Sequence, residues 1–494
     1  MKNLLLLITL LLILNNANGQ YTLNLKGKYI KKGRPVELLE IRRTDQGTGR
    51  AMVIINGKED DINLKDLKDI EFDVHNSYEF WQNQAIKHDV YENLLRYGTQ
   101  YDLRHDGEED ALKYLNQIEE NSSVFDDSYL ENYLYTILYK LYPGTLNDGR
   151  PGIVNFKIVK DVAPNSFIFP NGTLIITTGL LTTINSEDEL VAVISHEVAH
   201  FVLDHSIKNI NQAVKRQKSA EFWAALATGL AAATDIYAAS KNPYYSPGAL
   251  TYGTAVLSYT IASQITERLG MKYSRDQEKE ADQCAVELMK FMKVDPTALS
   301  STLSKIKQYC VLTGNYLALS GDGTHPALEE RIKEIGVPKI FKSNSYDKMI
   351  SFVTSFNAIS EFNNRHFIAC QSLVNRNINS GVPTEDDYLL KAMTNLCLFD
   401  NIEKNNEALE LINKAKALNV APNLNIFKQE ALVYIRMGKT VEAVASLESY
   451  KGNIIDQYNK IENIKNEAIW RATKYYLNDE RIWASKMIYK TKNM

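Results

Sequence analysis

Between residues 20 and 75, apolar and polar positions alternate in short runs, as they do in strands with one buried face. Residues 36–41 and 52–55 are two such runs, and Asn56-Gly57 directly after the second is a strong signal for a tight hairpin turn. We therefore predict a small β-rich module over residues 20–80. The sequence leaves the role of this module open.

Helical spacing of apolar residues begins at about Tyr78 and continues to Leu141. Two strands are predicted next, at residues 153–159 and 174–177. Ser186, with Glu189 three positions later, forms a capping box and predicts the start of a long helix. Together with the helices that follow, these elements predict an α+β fold that is mainly helical.

Residues 343–494 have a helical pattern without metal-binding or nucleophile signatures. Ala408 and Ala443 lie 35 positions apart, close to the 34-residue tetratricopeptide (TPR) period, and Pro422 falls in the turn expected between repeats. We predict a TPR-like helical domain here, with a plain helical bundle as the alternative. A repeat array would offer a concave surface for protein segments.

The composition adds two expectations. With 56 basic and 60 acidic residues the net charge is −4, which gives no indication of nucleic-acid binding. Residues 1–19 have the charged start, apolar run and small-residue end of a signal peptide, so we expect an exported protein, periplasmic or otherwise extracytoplasmic, that is soluble after cleavage. Four cysteines leave disulfides and free thiols equally open: Cys284, Cys310, Cys370 and Cys397.

Candidate chemistry is concentrated at His196-Glu197-Val198-Ala199-His200. Residues four apart on a helix are separated by about 40° around the axis and about 6 Å along it, so His196 and His200 can hold one metal ion. Glu197 lies about 100° around the helix, beside the metal and not on it. This spacing predicts two zinc ligands and a general base.

A third ligand is expected downstream, where Ser274 and Gln277 form a capping box that starts another helix. The helical phase places Glu278 and Asp282 on its apolar face and Glu280 on the opposite face. A carboxylate on an apolar face needs a partner, so Glu278 is predicted to bind the metal and Asp282 to orient a ligand histidine. The alternative is that both carboxylates pair with buried Arg or Lys.

The HExxH motif at residues 196–200 followed by ExxxD at residues 278–282 resembles metallopeptidase family forty-eight. This family includes the CAAX prenyl endoprotease, HtpX and Oma proteases, and the closest layout is that of periplasmic BepA-like members with a C-terminal TPR domain. Residues 165–172 and 178–181, and Thr324-His325-Pro326 with Arg331, resemble further family elements. The resemblance implies a zincin-type (gluzincin) domain with a small sheet over residues 81–342. It also implies one Zn²⁺ per chain, on His196, His200 and Glu278.

The resemblance places His325 at the cleft, either stabilising the oxyanion or latching the open zinc position; an ordinary loop histidine is the alternative. Asn165, Phe167 and Phe169 are predicted to form an edge strand that pairs with substrate, unless this is only a core strand. The apolar residues 220–265 are interpreted as a lid or peripheral membrane contact, or as ordinary packed helices. His205, nine residues after His196 and therefore about 180° around the helix, is interpreted as structural.

The predicted function is therefore zinc-dependent endopeptidase activity on misfolded or unassembled envelope proteins, a form of protein quality control. Glu197 would assist the attack of a zinc-bound water on the scissile carbonyl. Residues 343–494 would recruit clients or an envelope assembly machinery. The alternative is a chaperone or scaffold for envelope assembly whose latched metal site rarely cleaves.

Overall fold

The computed structural model describes residues 20–43, 49–94, 99–120, 123–144, 155–216, 271–313, 328–418, 423–461 and 467–493. These residues form two compact units that divide between Lys342 and Ser343. The predicted signal peptide (1–19), the apolar segment 220–265 and His325 lie outside the described residues, and the interpretations given for them stay predictions.

The first unit begins with an antiparallel sheet of five strands in the order β4-β3-β2-β1-β5. Its strands are β1 (Gln20–Tyr29), β2 (Pro35–Arg43), β3 (Gly49–Ile55), β4 (Lys58–Asn63) and β5 (Ile70–Phe72), with a 3₁₀ helix at Leu64–Asp69. Asn56 and Gly57 join β3 to β4 with φ angles of 53° and 76°, and Ile55 pairs with Lys58. Positive φ at both turn residues is what a type I′ hairpin requires. The predicted strands and the hairpin at Asn56-Gly57 are therefore present.

A second sheet has three strands in the order β6-β8-β7: β6 (Asn155–Val159), β7 (Ser166–Ile168) and β8 (Thr173–Thr177). The central strand β8 is parallel to β6 and antiparallel to β7, and all its residues are buried. Pro170 lies in the turn between β7 and β8, where its missing N–H costs no ladder hydrogen bond. Strand β7 therefore forms one edge of this sheet.

Ten helices complete the described part of the first unit. They are α1 (Ser77–Lys87), α2 (Val90–Leu94), α3 (Thr99–Glu120), α4 (Ser128–Leu141), α5 (Thr178–Thr183), α6 (Glu187–Val202), α7 (His205–Arg216), α8 (Arg275–Phe291), α9 (Thr297–Thr313) and α10 (Leu328–Ile335). Helix α6 is buried from Glu189 to Val202, and it packs against α8, α9 and β7. It is therefore the central helix of this unit.

Both predicted helix starts around the motifs are confirmed. The side chain of Ser186 accepts from the backbone N–H of Glu189 and caps α6. Ser274 and Gln277 exchange side-chain and backbone hydrogen bonds in a capping box that starts α8. On α8, both Glu278 and Asp282 are buried, as the helical phase predicts.

The second unit is entirely helical in its described residues: α11 (Asn344–Met349), α12 (Ser351–Asn363), α13 (Phe367–Ser380), α14 (Glu385–Leu398), α15 (Ile402–Leu418), α16 (Leu424–Arg436), α17 (Thr440–Lys460) and α18 (Glu467–Lys492). From α12 onward each helix packs against the next one along the chain. Ala408 on α15 and Ala443 on α17 are fully buried. Small residues at such positions let neighbouring helices approach closely.

No single helix among the described residues is both long and apolar enough to cross a bilayer. The bent pair Glu187–Val202 and His205–Gln212, at 47° to each other, meets the length and composition criteria only as a pair. The four cysteines are free thiols; Cys284, Cys310 and Cys370 are buried and Cys397 is exposed.

Candidate metal centre

Helices α6 and α8 bring three donor groups together. The Nε2 atoms of His196 and His200 lie 3.0 Å apart, and each lies near a carboxylate oxygen of Glu278, at 3.6 and 3.5 Å respectively. All three side chains are at least 95% buried. The two histidines come from successive turns of α6, and the carboxylate comes from the first turn of α8, which packs beside it.

The spacing of these three groups fits a zinc ion. Around a tetrahedral zinc with ligand bonds near 2.0–2.2 Å, any two donor atoms lie about 3.3–3.6 Å apart. The three observed separations fall close to that edge length, and two imidazoles with one carboxylate are a donor set of catalytic zinc sites, which leave a fourth position for water. The residues present therefore fit the metal that the sequence predicts.

Asp282 lies behind His196 and is held by Arg331 of α10. Oδ1 of Asp282 is 2.9 Å from Nδ1 of His196, and the guanidinium of Arg331 donates to both carboxylate oxygens at 2.8 Å. Burial alone raises the pKa of Asp282, but the charge of Arg331 and the hydrogen bonds from His196 and Arg331 outweigh it and hold the pKa well below its usual range. Asp282 is therefore ionised and accepts the Nδ1 proton of His196, which leaves Nε2 for a metal.

Charge balance also favours a cation here. Three carboxylates are buried here, those of Glu197, Glu278 and Asp282. Among the described residues, the guanidinium of Arg331 lies beside them, with its Nη1 2.5 Å from Oε2 of Glu278. Burying unbalanced charge is costly. A divalent cation at the His196–His200–Glu278 triangle would bring the cluster close to neutrality.

Glu197 follows His196 on the same helix and is 1% exposed. Oγ of Ser166, in strand β7, donates to Oε1 of Glu197 across 2.6 Å. The edge strand of the small sheet therefore fixes the orientation of the predicted base. Ser166 carried no predicted role, since only the packing of β7 on α6 brings the two side chains together.

The predicted position of His205 on the helix needs correction. Helix α6 ends at Val202, and Asp204, with a φ of 63°, breaks the helix, so that α7 begins at His205 at 47° to α6. His205 is completely buried, with its Nδ1 2.9 Å from Nδ1 of His200 and its Nε2 3.1 Å from Oε2 of Glu280. The 180° separation assumed one continuous helix, and the break at Asp204 removes that assumption.

Tyr273 and Arg331 are two further residues of the site to which the sequence assigned no role. The ring of Tyr273 stacks on His200 with centroids 3.7 Å apart and planes 15° apart. Its hydroxyl lies 3.2 Å from that of Ser206, and burial raises its pKa, so it stays protonated. Two sequence signals could have pointed to these residues. Tyr273 directly precedes the capping residue Ser274, and Arg331 lies five residues after Pro326.

The predicted substrate strand has its main-chain groups arranged differently from the prediction. The carbonyl of Asn165 accepts from Thr177, and the N–H of Phe169 donates to Thr173, so both face β8. Phe167 pairs with Ile175 of β8, and the Phe167 and Phe169 side chains are in the core. Because main-chain groups alternate along a strand, the groups of Ser166 and Ile168 point to the open edge.

The fold and the site define a class: a buried His–His–Glu triangle with an adjacent glutamate is the arrangement of HExxH metallopeptidases. Residues 146–338 match the model of Peptidase family M48. The predicted resemblance to this family is confirmed over this region of the chain.

Relatives that are named as proteases or metalloendopeptidases each align with part of the chain. Mitochondrial metalloendopeptidase OMA1 of Schizosaccharomyces pombe is 29% identical over 36% of this chain and 44% of its own length. The beta-barrel assembly-enhancing protease of Escherichia coli K12 is 23% identical over 39% of this chain and 36% of its own. Metalloprotease LoiP of the same organism is 26% identical over 38% and 63%. The alignments thus span less than two thirds of each relative.

Proposed function

We propose that this chain is an extracytoplasmic zinc-dependent endopeptidase that cleaves misfolded or unassembled envelope proteins. The observation that carries the proposal is the buried triangle of His196, His200 and Glu278 with Glu197 directly beside it. The names of the relatives, which include a beta-barrel assembly-enhancing protease, favour an envelope substrate. The signal-peptide pattern of residues 1–19 supports export.

In this proposal His196, His200 and Glu278 hold a zinc ion, which when bound would lower the pKa of water and polarise a carbonyl. Glu197 accepts the proton of the attacking water and returns it to the leaving amine. The hydrogen bond from Ser166 occupies Oε1 of Glu197.

We propose that an extended peptide adds to the open edge of β7. Ser166 and Ile168 would supply the main-chain groups, in place of the predicted Asn165, Phe167 and Phe169, whose groups face β8. Main-chain pairing needs an extended segment, so it selects unfolded over folded chains. Since Ser166 also contacts Glu197, a peptide paired at this edge would lie beside the base.

For residues 343–494 we propose a TPR-like array that recruits clients or an assembly machinery. Helices α12 and α14 begin at Ser351 and Glu385, 34 positions apart, and α13 and α15 begin at Phe367 and Ile402, 35 positions apart. These spacings equal or nearly equal one tetratricopeptide repeat. The proposal for His325 as oxyanion donor or latch rests on the family resemblance alone.

The first experiment is cleavage of an unfolded model protein by the full chain and by Glu197→Gln, with zinc content measured in both. We expect cleavage by the unaltered chain, and a loss of at least about 100-fold in the variant without loss of zinc. Equal cleavage by both proteins would contradict the role of Glu197. Zinc in both with cleavage by neither would favour the scaffold alternative and make His325→Ala the next variant.

A further inference from the structure

His200 is held from behind by a chain of two residues. Its Nδ1 lies 2.9 Å from Nδ1 of His205, and Nε2 of His205 lies 3.1 Å from Oε2 of Glu280. His205 is fully buried, whereas the side chain of Glu280 is 41% exposed. This series of hydrogen bonds therefore runs from the donor triangle to the protein surface.

If His200 binds a metal through Nε2, the ring protons of His200 and His205 can be placed in only one consistent way. Nδ1 of His200 must then carry the proton and donate it to Nδ1 of His205, because a neutral imidazole has one N–H and one acceptor nitrogen. His205 consequently carries its own proton on Nε2 and donates it to Glu280.

We propose that His205 and Glu280 are positioning residues that fix the tautomer and the ring orientation of His200 for zinc binding. The inference rests on the metal site of the proposed function. Stacking on Tyr273 sets the plane of the His200 ring, and the hydrogen bond to His205 sets its rotation within that plane. Partners of this kind orient metal-ligating histidines in general.

The two histidine ligands are thus supported differently. His196 contacts Asp282 directly, and Arg331 holds that carboxylate inside the protein. His200 reaches its carboxylate, Glu280, only through His205. Helix α8 supplies the ligand Glu278 from one face. From its opposite face, two residues later, it supplies Glu280, the outermost residue of the hydrogen-bonded series.

The test is the zinc affinity of the full chain, measured by competition with a chromogenic chelator. We expect His205→Phe to weaken zinc binding by about 10–100-fold, because the ring stays and both nitrogens are lost. His205→Asn should weaken it less, since Oδ1 of asparagine can accept in place of Nδ1. Glu280→Ala should weaken it several-fold. Asp276→Asn, which removes an exposed charge from the same helix, should leave the affinity within about twofold.

The double variant His205→Asn/Glu280→Ala separates a connected chain from a simple charge effect. If the three residues act as one connected series of hydrogen bonds, Glu280→Ala should cause no further loss of zinc affinity once His205→Asn has removed the hydrogen bond to Glu280. An equal loss from Glu280→Ala in both backgrounds would overturn the inference, as would unchanged affinity in folded His205→Phe. Circular dichroism checks the fold, and Glu280→Ala keeps the test decisive if His205→Phe does not fold.

Zinc affinity also distinguishes this inference from the proposed function. If the unaltered chain binds zinc and the variants bind it equally well, only the inference fails. If the unaltered chain binds no zinc, both fail. If the variants lose affinity as expected while the unaltered chain cleaves nothing, the inference stands and the peptidase proposal fails.

Discussion

Glu197 is oriented from outside its own helix, by the hydroxyl of Ser166 in β7. A hydrogen bond to a charged group is worth about 1.5–3 kcal/mol, and its geometry restricts the carboxylate to one rotamer. At the residue scale, the site therefore depends on long-range pairs as much as on the motif itself. Ser166 with Glu197 and Arg331 with Asp282 are two such pairs.

Ser166→Ala tests the first pair. We expect kcat to fall roughly tenfold, the equivalent of about 1.4 kcal/mol, with KM and zinc content little changed. The hydroxyl orients the base and makes no contact that binds zinc in this proposal. Steady-state kinetics on a fluorogenic unfolded substrate would measure both constants.

Ser300→Ala is the matched control, because Ser300 is also buried and its hydroxyl donates to the backbone of its own helix, at Thr297. It should leave kcat unchanged. An equal loss of kcat in both variants would show that the effect reflects general destabilisation and not the orientation of Glu197.

At the element scale, glycines show how local packing decides a substitution. A Cβ at Gly179 of α5 would lie 2.2 Å from the carbonyl oxygen of Val162, so the loop over residues 161–163 can cross the helix only above a glycine. Gly452 of α17 is exposed with nothing within 4 Å of a Cβ. Replacement of glycine by alanine should therefore lower the free energy of unfolding at Gly179 and raise it at Gly452.

We expect Gly179→Ala to destabilise the first unit by about 1–3 kcal/mol or more, through overpacking against backbone. Gly452→Ala should stabilise the second unit by roughly 0.5–1 kcal/mol, because alanine loses less backbone entropy in a helix. Urea unfolding followed by circular dichroism would measure both. A stabilising Gly179→Ala would mean that the 161–163 loop moves away freely.

The start of α9 gives a prediction about pH. Oδ2 of Asp295 accepts from Lys339 at 2.6 Å, and Oδ1 accepts from the hydroxyl and N–H of Thr297 at 2.7 and 2.9 Å. These hydrogen bonds, above all the one from Lys339, lower the pKa of Asp295 to about 2. A carboxylate whose pKa is lowered by folding stabilises the protein above its unfolded pKa of about 3.9. This stability is lost as the pH falls through about 2.

We expect Asp295→Asn to be less stable than the unaltered chain at pH 6 by at most about 1 kcal/mol, since the pair is largely exposed. The difference should shrink steadily as the pH falls below 4, and urea midpoints from pH 6 to pH 3 would show it. Lys339→Gln removes the same pair from the other side, so the two losses should not add. A difference that is constant with pH would contradict the lowered pKa.

At the scale of the whole molecule, the described residues divide into two units after Lys342, and every contact described around the donor triangle lies in the first. A chain that ends at Lys342 should therefore bind zinc with the affinity of the full chain and still cleave a generic unfolded protein. The proposed recruitment of envelope clients should be lost. Zinc titration, cleavage assays and complementation of a deletion strain would measure the three properties.

The same truncation carrying Glu197→Gln is the control for a contaminating protease. A truncated chain that is folded but binds no zinc would show that the second unit contributes to the metal centre. Loss of cleavage with zinc binding intact would instead assign the second unit a part in the reaction itself.

Local features of this protein could be predicted from sequence because they depend on neighbours along the chain. The hairpin at Asn56-Gly57 follows from turn geometry, and the helix starts at Glu187 and Arg275 follow from their capping residues. The burial of Glu278 follows from helical phase. Such patterns need only the spacing of residues and the period of the element.

Apart from Glu278 and Asp282, only the tertiary structure decided which distant residues contact the site. Ser166 lies 31 positions from Glu197, and Glu280 lies 75 positions from His205. Residues 165, 167 and 169 were predicted to offer their main chain to substrate, but the pairing register of β7 turns them towards β8. Periodicity specifies which face of an element is apolar. The partner of that face, the register of a strand and the break at Asp204 result from how whole elements pack, and no local pattern contains that information.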